Sequence, residues 1–111
     1  MKQKTIEELQ VLIEESNSDA MVELATRYYN GKGVTKDYEK ALKYFEKAET
    51  AGNIKGTYWI AKCYFYGRGL KQDYEKAYNI FYNLMTKYND IDSKYYVRFH
   101  VLSWLFRKAK L

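Results

Sequence analysis

Apolar side chains recur along this chain three and four residues apart, which is the period of an α-helix with one buried face. Leu24, Ala25 and Tyr28 form such a stripe on a helix that starts near Asp19. Gly31 follows the stripe and can take the left-handed conformation that commonly ends a helix. The pattern therefore predicts a helix that leads into a glycine-containing loop.

A second helix is predicted to begin after Asp37 and to end at Gly52. An aspartate side chain at a helix start accepts a hydrogen bond from the first-turn backbone, and Glu39 suits the positive end of the helix dipole. The two helices together form a helix–loop–helix unit. The buried stripe of the second helix consists of Ala41, Tyr44, Phe45 and Ala48.

The same pattern occurs twice, 36 residues apart, and residues 20–52 and 56–88 share 11 identities in 33 aligned positions. Self-similarity at a fixed period is the signature of a solenoid built from stacked units. The second pair of helices is predicted at 54–67 and 73–88. The repeated motif consists of Gly31, Gly33, Asp37 and Ala41 in the first copy and of Gly67, Gly69, Asp73 and Ala77 in the second.

Both ends of the chain are predicted to be capping helices, because the terminal elements of a solenoid shield its last core face. Residues 5–15 place four apolar side chains on one face, and residues 92–109 are predicted to begin a third unit at the same 36-residue offset. The prediction is one all-α domain of about six helices and no strands. It divides into an N-terminal cap (1–18), two repeats (19–54 and 55–90) and a C-terminal cap (91–111).

These residues resemble the Sel-one-like repeat (SLR) family, a relative of the tetratricopeptide repeat, whose pattern includes G-x-G-V-x2-D-x2-K-A. Both copies keep the paired glycines, the aspartate and the Lys-Ala pair, and the resemblance is clear over residues 20–88. It implies a right-handed α-solenoid. The second copy departs from the family pattern after residue 80, at Ile80, Asn83, Leu84, Met85 and Tyr88.

The paired glycines raise the alternative of a phosphate-binding loop. Such a loop follows a β-strand and often ends in Gly-Lys-Ser/Thr, whereas "GKGVTKD" lies between two predicted helices. The repeated glycines are therefore interpreted as folding residues.

Few residues are suited to catalysis or metal binding. Cys63 and His100 are the only residues of their kinds, so a catalytic pair would require distant helices to converge, and a zinc site lacks ligands. Cys63 is expected to be a small, partly buried packing residue. His100, as the third unit's equivalent of Tyr28 and Tyr64, is expected to be packed and hydrogen-bonded. No enzyme activity, cofactor or metal is predicted.

Charge is distributed unevenly along the chain. Residues 1–50 carry 8 Lys/Arg against 10 Asp/Glu, whereas residues 51–111 carry 11 against 4, a balance of +7. The second half is expected to attract acidic partners, or else to be a solvated basic face without a partner. The opening residues lack the apolar stretch of a secretory signal, and no apolar run approaches the ~20 residues that span a bilayer. A cytoplasmic protein without membrane contact is therefore expected.

In tetratricopeptide-like solenoids the first helix of each unit lines a concave groove, and the resemblance implies which positions face it. Large aromatic rings fill these positions in the second unit, and a cluster of such rings beside basic residues has the composition of a protein-binding hot spot. The implied positions are Val22, Glu23, Thr26, Tyr29 and Asn30, then Tyr58, Trp59, Lys62, Phe65 and Tyr66, then Lys94, Tyr95, Arg98, Val101 and Leu102.

The resulting hypothesis is a non-catalytic protein-binding module: an adaptor, a scaffold, or a small inhibitor or immunity-type binder. A helix or extended peptide would insert an apolar or aromatic side chain among the rings, and its carboxylate would meet Lys62, Lys94 and Arg98. The alternative is that some of these rings pack against a neighbouring helix. A surplus apolar face on the last helix leaves open a homodimer seam or a part of the partner site. Its two stripes consist of Phe99, Leu102 and Phe106, and of Val97, Val101 and Trp104.

Nucleic-acid binding is the rival hypothesis from another class. The basic second half would supply phosphate contacts, and exposed tyrosines would stack on bases. However, no base-reading motif appears in the sequence, so nucleic acid is the weaker expectation.

Overall fold

The computed structural model describes the backbone of residues 3–109 and the side chains of residues 3–100, 102 and 103. These residues form six helices and no strand, and the predicted all-α solenoid is confirmed. The side chains of Val101, Trp104 and Phe106 lie outside the described residues. The helices are α1 (Ile6–Glu14), α2 (Ser18–Asn30), α3 (Tyr38–Thr50), α4 (Ile54–Tyr66), α5 (Tyr74–Tyr88) and α6 (Ile91–Ala109).

Helices that follow each other in the chain pack side by side and give an elongated molecule of 54 × 29 × 26 Å. The two predicted aspartate caps are present, because Asp37 and Asp73 each accept a hydrogen bond of 3.0 Å from a first-turn backbone N–H. Gly31 and Gly67 end α2 and α4 with φ of 69° and 67°. The predicted aspartate caps and glycine helix ends of both units are therefore confirmed.

The loop of the second unit rests on the first unit, and this contact requires a glycine. Gly69 has φ of +80°, and a Cβ placed on it would lie 2.8 Å from the carbonyl oxygen of Tyr38 at the start of α3. The equivalent Gly33 has φ of +75° but open space where a Cβ would be. The second glycine of the motif therefore permits close packing between units as well as a positive φ.

The third unit starts one residue later than the 36-residue period predicts. Asn17 and Asn53 cap α2 and α4. The corresponding cap of α6 is Asp90, whose carboxylate accepts a hydrogen bond of 3.0 Å from the backbone N–H of Ser93. The offset between caps is therefore 36 residues first and 37 residues second. Small buried residues follow each cap at the same distance, namely Ala20, Gly56 and Ser93.

Ring stacking gives the same register. The ring of Trp59 in α4 stacks on Phe45 in α3 at 5.2 Å, and the ring of Tyr96 in α6 stacks on Phe81 in α5 at 4.3 Å. Because Phe45 and Phe81 are 36 residues apart, Tyr96 rather than Tyr95 takes the place of Trp59.

The shift arises because α5 has 15 residues where α3 has 13, while a single residue, Asn89, separates it from the next cap. His100 consequently corresponds to Arg27 and Cys63, so its predicted equivalence to Tyr28 and Tyr64 is wrong. It is packed, with its ring 4.4 Å from that of Tyr78, but its side chain makes no hydrogen bond within the described part of the chain.

Candidate functional site

Two residues predicted to face the groove are buried instead. Val22 and Tyr29 belong to the core cluster of the first unit, so their assignment to an accessible surface is wrong. The ring of Tyr29 is covered by Trp59 at 5.1 Å, and its hydroxyl accepts a hydrogen bond of 2.6 Å from Arg68. In this unit Thr26 is half-buried, and its hydroxyl donates to the backbone carbonyl of Glu23 in its own helix.

Trp59 is half-buried and serves mainly as a packing residue. Its ring stacks on Phe45, within 3° of parallel, and meets Tyr29 edge-on. The alternative of a ring packed against neighbouring helices therefore applies to Trp59. The Nζ of Lys62 lies 4.0 Å from the centroid of this ring, and cation–π attraction holds it over the aromatic face.

A cavity of about 510 Å³ opens between α4 and the start of α6. The charge of Lys62 is half-buried there, so burial and, to a lesser extent, the nearby Arg68 lower its pKa. Two acidic residues, which the sequence interpretation missed, give the cavity mixed charge, while Lys94 and Arg98 do not line it. The lining residues are Ile54, Lys55, Tyr58, Trp59, Lys62, Leu84, Asp90 and Asp92.

Next to this cavity lies a continuous group of five apolar side chains on α4 and α6, of which Phe65 is half-buried and the others are exposed. The ring of Phe65 joins the two helices, because it lies 4.9 Å from Tyr66 and 5.4 Å from Phe99. Tyr95 and Leu102 extend the group along α6 and are 64% and 65% exposed. These five residues, Phe65, Tyr66, Tyr95, Phe99 and Leu102, are called the aromatic surface below.

The register shift explains which α6 residues reach this surface. With an offset of 37, the positions of Lys62 and Phe65 correspond to Phe99 and Leu102. Of the predicted α6 residues, Tyr95 and Leu102 belong to the aromatic surface. Lys94 is half-buried, and Arg98 is exposed between Tyr95 and Leu102 on the same side of the helix.

Arg68 is a residue of this region that the sequence interpretation missed. Its guanidinium lies 4.9–5.5 Å from the ring centroids of Tyr29, Tyr38 and Tyr66, and its hydrogen bond to the Tyr29 hydroxyl ties the second loop to the first unit. It stands between the paired glycines, at the position of Lys32, which the family pattern leaves variable. Only the three-dimensional convergence of tyrosines identifies it.

Burial favours the uncharged form of two tyrosine hydroxyls and one thiol in this region. The Tyr66 and Tyr96 hydroxyls are 3.3 Å apart, and burial together with this hydrogen bond raises the pKa of Tyr96. Burial likewise raises the pKa of Tyr58, and it raises the pKa of Cys63 to about 11. Cys63 is completely rather than partly buried. A thiol with this pKa is mostly protonated at neutral pH and is a poor nucleophile.

The described residues contain no group of three or more His, Cys, Asp or Glu side chains that could hold a metal ion. Across the same part of the chain, every helix is too short or too polar to cross a membrane.

Comparisons with known proteins identify the repeat. The family model described as Sel1 repeat matches residues 18–53 and 54–82. A protective antigen of uropathogenic Escherichia coli with an SLR fold is 29% identical, with a TM-score of 0.71. Helicobacter pylori cysteine-rich protein B is 24% identical, with a TM-score of 0.67, which shows a shared fold.

The matches cover 77% and 78% of this chain. The chain spans only 18% of the Escherichia coli protein and 65% of the Helicobacter pylori protein. Among curated protein sequences, none matches the chain.

Proposed function

This chain belongs to the Sel1 repeat family, and we propose that it is a non-catalytic interaction module whose protein partner docks on the aromatic surface. Sel1 repeat proteins generally mediate protein–protein interaction and are typically non-catalytic scaffolds. The proposal is more specific than this family role in two respects. It places the binding surface on α4 and α6, and it assigns the chain the role of an adaptor, a scaffold or a small inhibitor. Cytoplasmic localisation stays a prediction.

The exposure of the aromatic surface is the observation that carries this proposal. Tyr66, Tyr95, Phe99 and Leu102 are all exposed, and they adjoin one another across two helices through Phe65. Single exposed apolar side chains are normal on soluble proteins, whereas a contiguous group marks an interaction site. Aromatic rings also lose little conformational entropy on binding, which favours their use as contact residues.

The neighbouring cavity gives the partner a place for an anchor. An apolar side chain of the partner would enter between Tyr58 and Leu84, and a carboxylate at its edge would meet Lys62 and Lys55. Lys62 has no carboxylate within 4.0 Å, since the ion pair of Arg27 with Glu23 is the only one among the described residues. An acidic group on the partner would therefore compensate a half-buried charge.

Site-specific crosslinking tests the location. A photoreactive benzoylphenylalanine replaces Tyr95 in one variant and Tyr82, another exposed tyrosine, on α5, in a matched control. After irradiation in native cell extract, we expect a discrete protein adduct at position 95 and none at position 82. Substitution of Leu102 by Ser should reduce the adduct at position 95 without loss of helical circular dichroism. Equal adducts at both positions would contradict the proposal.

The nucleic-acid alternative has no support from the family. A salt series with a single-stranded oligonucleotide separates the two functions, because phosphate contacts weaken steeply between 50 and 200 mM salt. Oligonucleotide binding that is lost over this range, combined with no protein adduct, would favour the alternative.

A further inference from the structure

We propose that the partner segment is an amphipathic α-helix with an acidic residue at its centre, which lies along the exposed face of α6. This inference rests on the proposed function and deepens it, because it names the chemistry of the partner. The face consists of Ile91, Tyr95, Arg98 and Leu102, which are called the α6 ridge below.

The spacing of the α6 ridge is that of a helix–helix seam. Its residues follow one another at intervals of 4, 3 and 4, the alternation that faces a partner helix in coiled coils. All four are exposed, and Ile91 is 74% exposed. The ridge spans residues 91–102, and the 11 steps between its ends give about 16 Å at 1.5 Å per residue, which matches three turns of an incoming helix.

The opposite side of α6 is already occupied. Ser93, Tyr96 and Val97 are buried, and Tyr96 stacks on Phe81 of α5. The ridge is therefore a second apolar face of the same helix, and the packing of α6 against α4 and α5 does not use it.

The charge at the centre of the ridge selects the partner. Arg98 stands between Tyr95 and Leu102, and Lys94 lies one turn before it. The ion pairs of the described residues do not include Arg98. A partner helix that covered the ridge would remove its guanidinium from water, which is favourable only if a carboxylate faces it. The incoming helix therefore carries Asp or Glu between two apolar residues.

The same charge disfavours a second copy of this chain. Two α6 helices packed parallel and in register through their ridges would bring Arg98 against its own counterpart, and like charges directly opposed in an interface are destabilising. Packed antiparallel over the whole ridge, they would set Arg98 opposite Tyr95 of the other copy and remove two guanidinium groups from water with no carboxylate opposite them. The acidic helix α1 is also unsuited, because its buried Leu9 packs against α2 and Val11 is the one strongly exposed apolar residue of that helix. A different protein is the occupant that satisfies both the apolar and the charged part of the ridge.

Selection from a displayed library of three-turn amphipathic helices tests the inference. The library fixes Leu at the seam positions and randomises the central seam residue, and the baits are the whole chain, its Arg98→Glu variant and its Lys43→Glu variant. Lys43 is an exposed lysine on α3 and serves as the matched control. We expect Asp or Glu to be enriched on the whole chain and on Lys43→Glu, and Lys or Arg on Arg98→Glu. The peptide selected on the whole chain should bind Arg98→Glu at least tenfold more weakly.

Several results would overturn the inference: no enrichment, neutral or basic residues at the central position, or affinity unchanged by Arg98→Glu. A dimer of the chain alone in sedimentation equilibrium, dissociated by Leu102→Glu, would show that a second copy is the occupant. If the crosslink at position 95 forms while the library fails, the inference falls and the proposed function stands. If both fail, the proposed function falls as well.

Discussion

Substitution of Tyr96 by Ala should destabilise the protein strongly and substitution of its neighbour Tyr95 by Ala hardly at all, and the pair tests the register of α6. Tyr96 is 8% exposed and Tyr95 is 64% exposed. Removal of a buried aromatic ring costs about 3–5 kcal/mol, and an exposed substitution about 0.5 kcal/mol or less. We therefore expect Tyr96→Ala to lower the free energy of unfolding by about 3 kcal/mol and Tyr95→Ala to leave it nearly unchanged.

The size of the effect follows from the contacts that Tyr96 makes. Its ring stacks on Phe81 at 4.3 Å and meets Phe65 and Tyr58 edge-on at 5.1 and 6.3 Å. Its hydroxyl contributes one hydrogen bond, to Tyr66, which is worth about 1 kcal/mol or less. Tyr96→Phe keeps the stacked ring and should therefore retain most of the stability, which makes it the control for the loss of packing.

Urea unfolding followed by far-ultraviolet circular dichroism measures all three variants, because α6 contributes directly to the helical signal. The comparison requires equal dependence of the free energy of unfolding on urea concentration across the variants. Under the 36-residue register Tyr95 would be the equivalent of Trp59. A larger loss of stability for Tyr95→Ala than for Tyr96→Ala would refute the 37-residue offset and with it the assignment of Phe99 to the aromatic surface.

Three further predictions concern the loops and the core. Gly69→Ala should lower the free energy of unfolding by about 2 kcal/mol or more and Gly33→Ala by about 1 kcal/mol, because both need a positive φ but only Gly69 meets another backbone; equal melting temperatures for the two variants would contradict this. Arg68→Met and Tyr29→Phe should each destabilise by about 1–2 kcal/mol and should not be additive in the double variant, since one hydrogen bond is lost in all three cases. Because the pKa of Cys63 is raised from 9.0 to about 11, the unfolded chain loses this proton first, so the contribution of this thiol to the free energy of unfolding should be constant below about pH 9 and fall from there towards pH 11; urea titrations at these pH values measure it as the difference between the chain and its Cys63→Ala variant, which lacks the thiol.

The sequence was sufficient to predict the helices and their ends, because local chemistry decides them. The aspartate caps and the glycines at the ends of α2 and α4 act through the backbone of their own turn, so their positions can be read directly from the residues. The buried stripe of Ala41, Phe45 and Ala48 likewise follows from helical spacing, and all three are fully buried.

The register of α6 could not be predicted from the repeat period. Helix α5 is two residues longer than α3, and the loop between α5 and the next cap is one residue shorter. The chain has Gly52 in the left-handed conformation before the cap of α4, and Asn89 takes this role before α6. Asparagine tolerates that conformation, and an aspartate with a small residue three positions later follows it. This combination is visible in the sequence, but the absence of a glycine hides it from a search for the repeat pattern.

Burial within the expected groove was the other part that the sequence did not reveal. The same helix position holds Val22, Tyr58 and Tyr95 in the three units, buried, half-buried and exposed in turn. Each helix is covered by the unit that follows it, so exposure depends on place in the stack rather than on residue type. Arg68 escaped prediction for a similar reason, since its partner Tyr29 belongs to another unit.

The packing of each helix mainly against its neighbours in the chain sets how this molecule folds and opens. Such a topology has low contact order, so the chain should fold quickly, without waiting for distant segments to meet. Amide hydrogen exchange should be slowest in α2 to α5, which have a packed helix on both sides, and faster in α1 and α6, which have one. A ligand that clamps α6 would therefore slow exchange at that end of the array first and leave the opposite end almost unaffected.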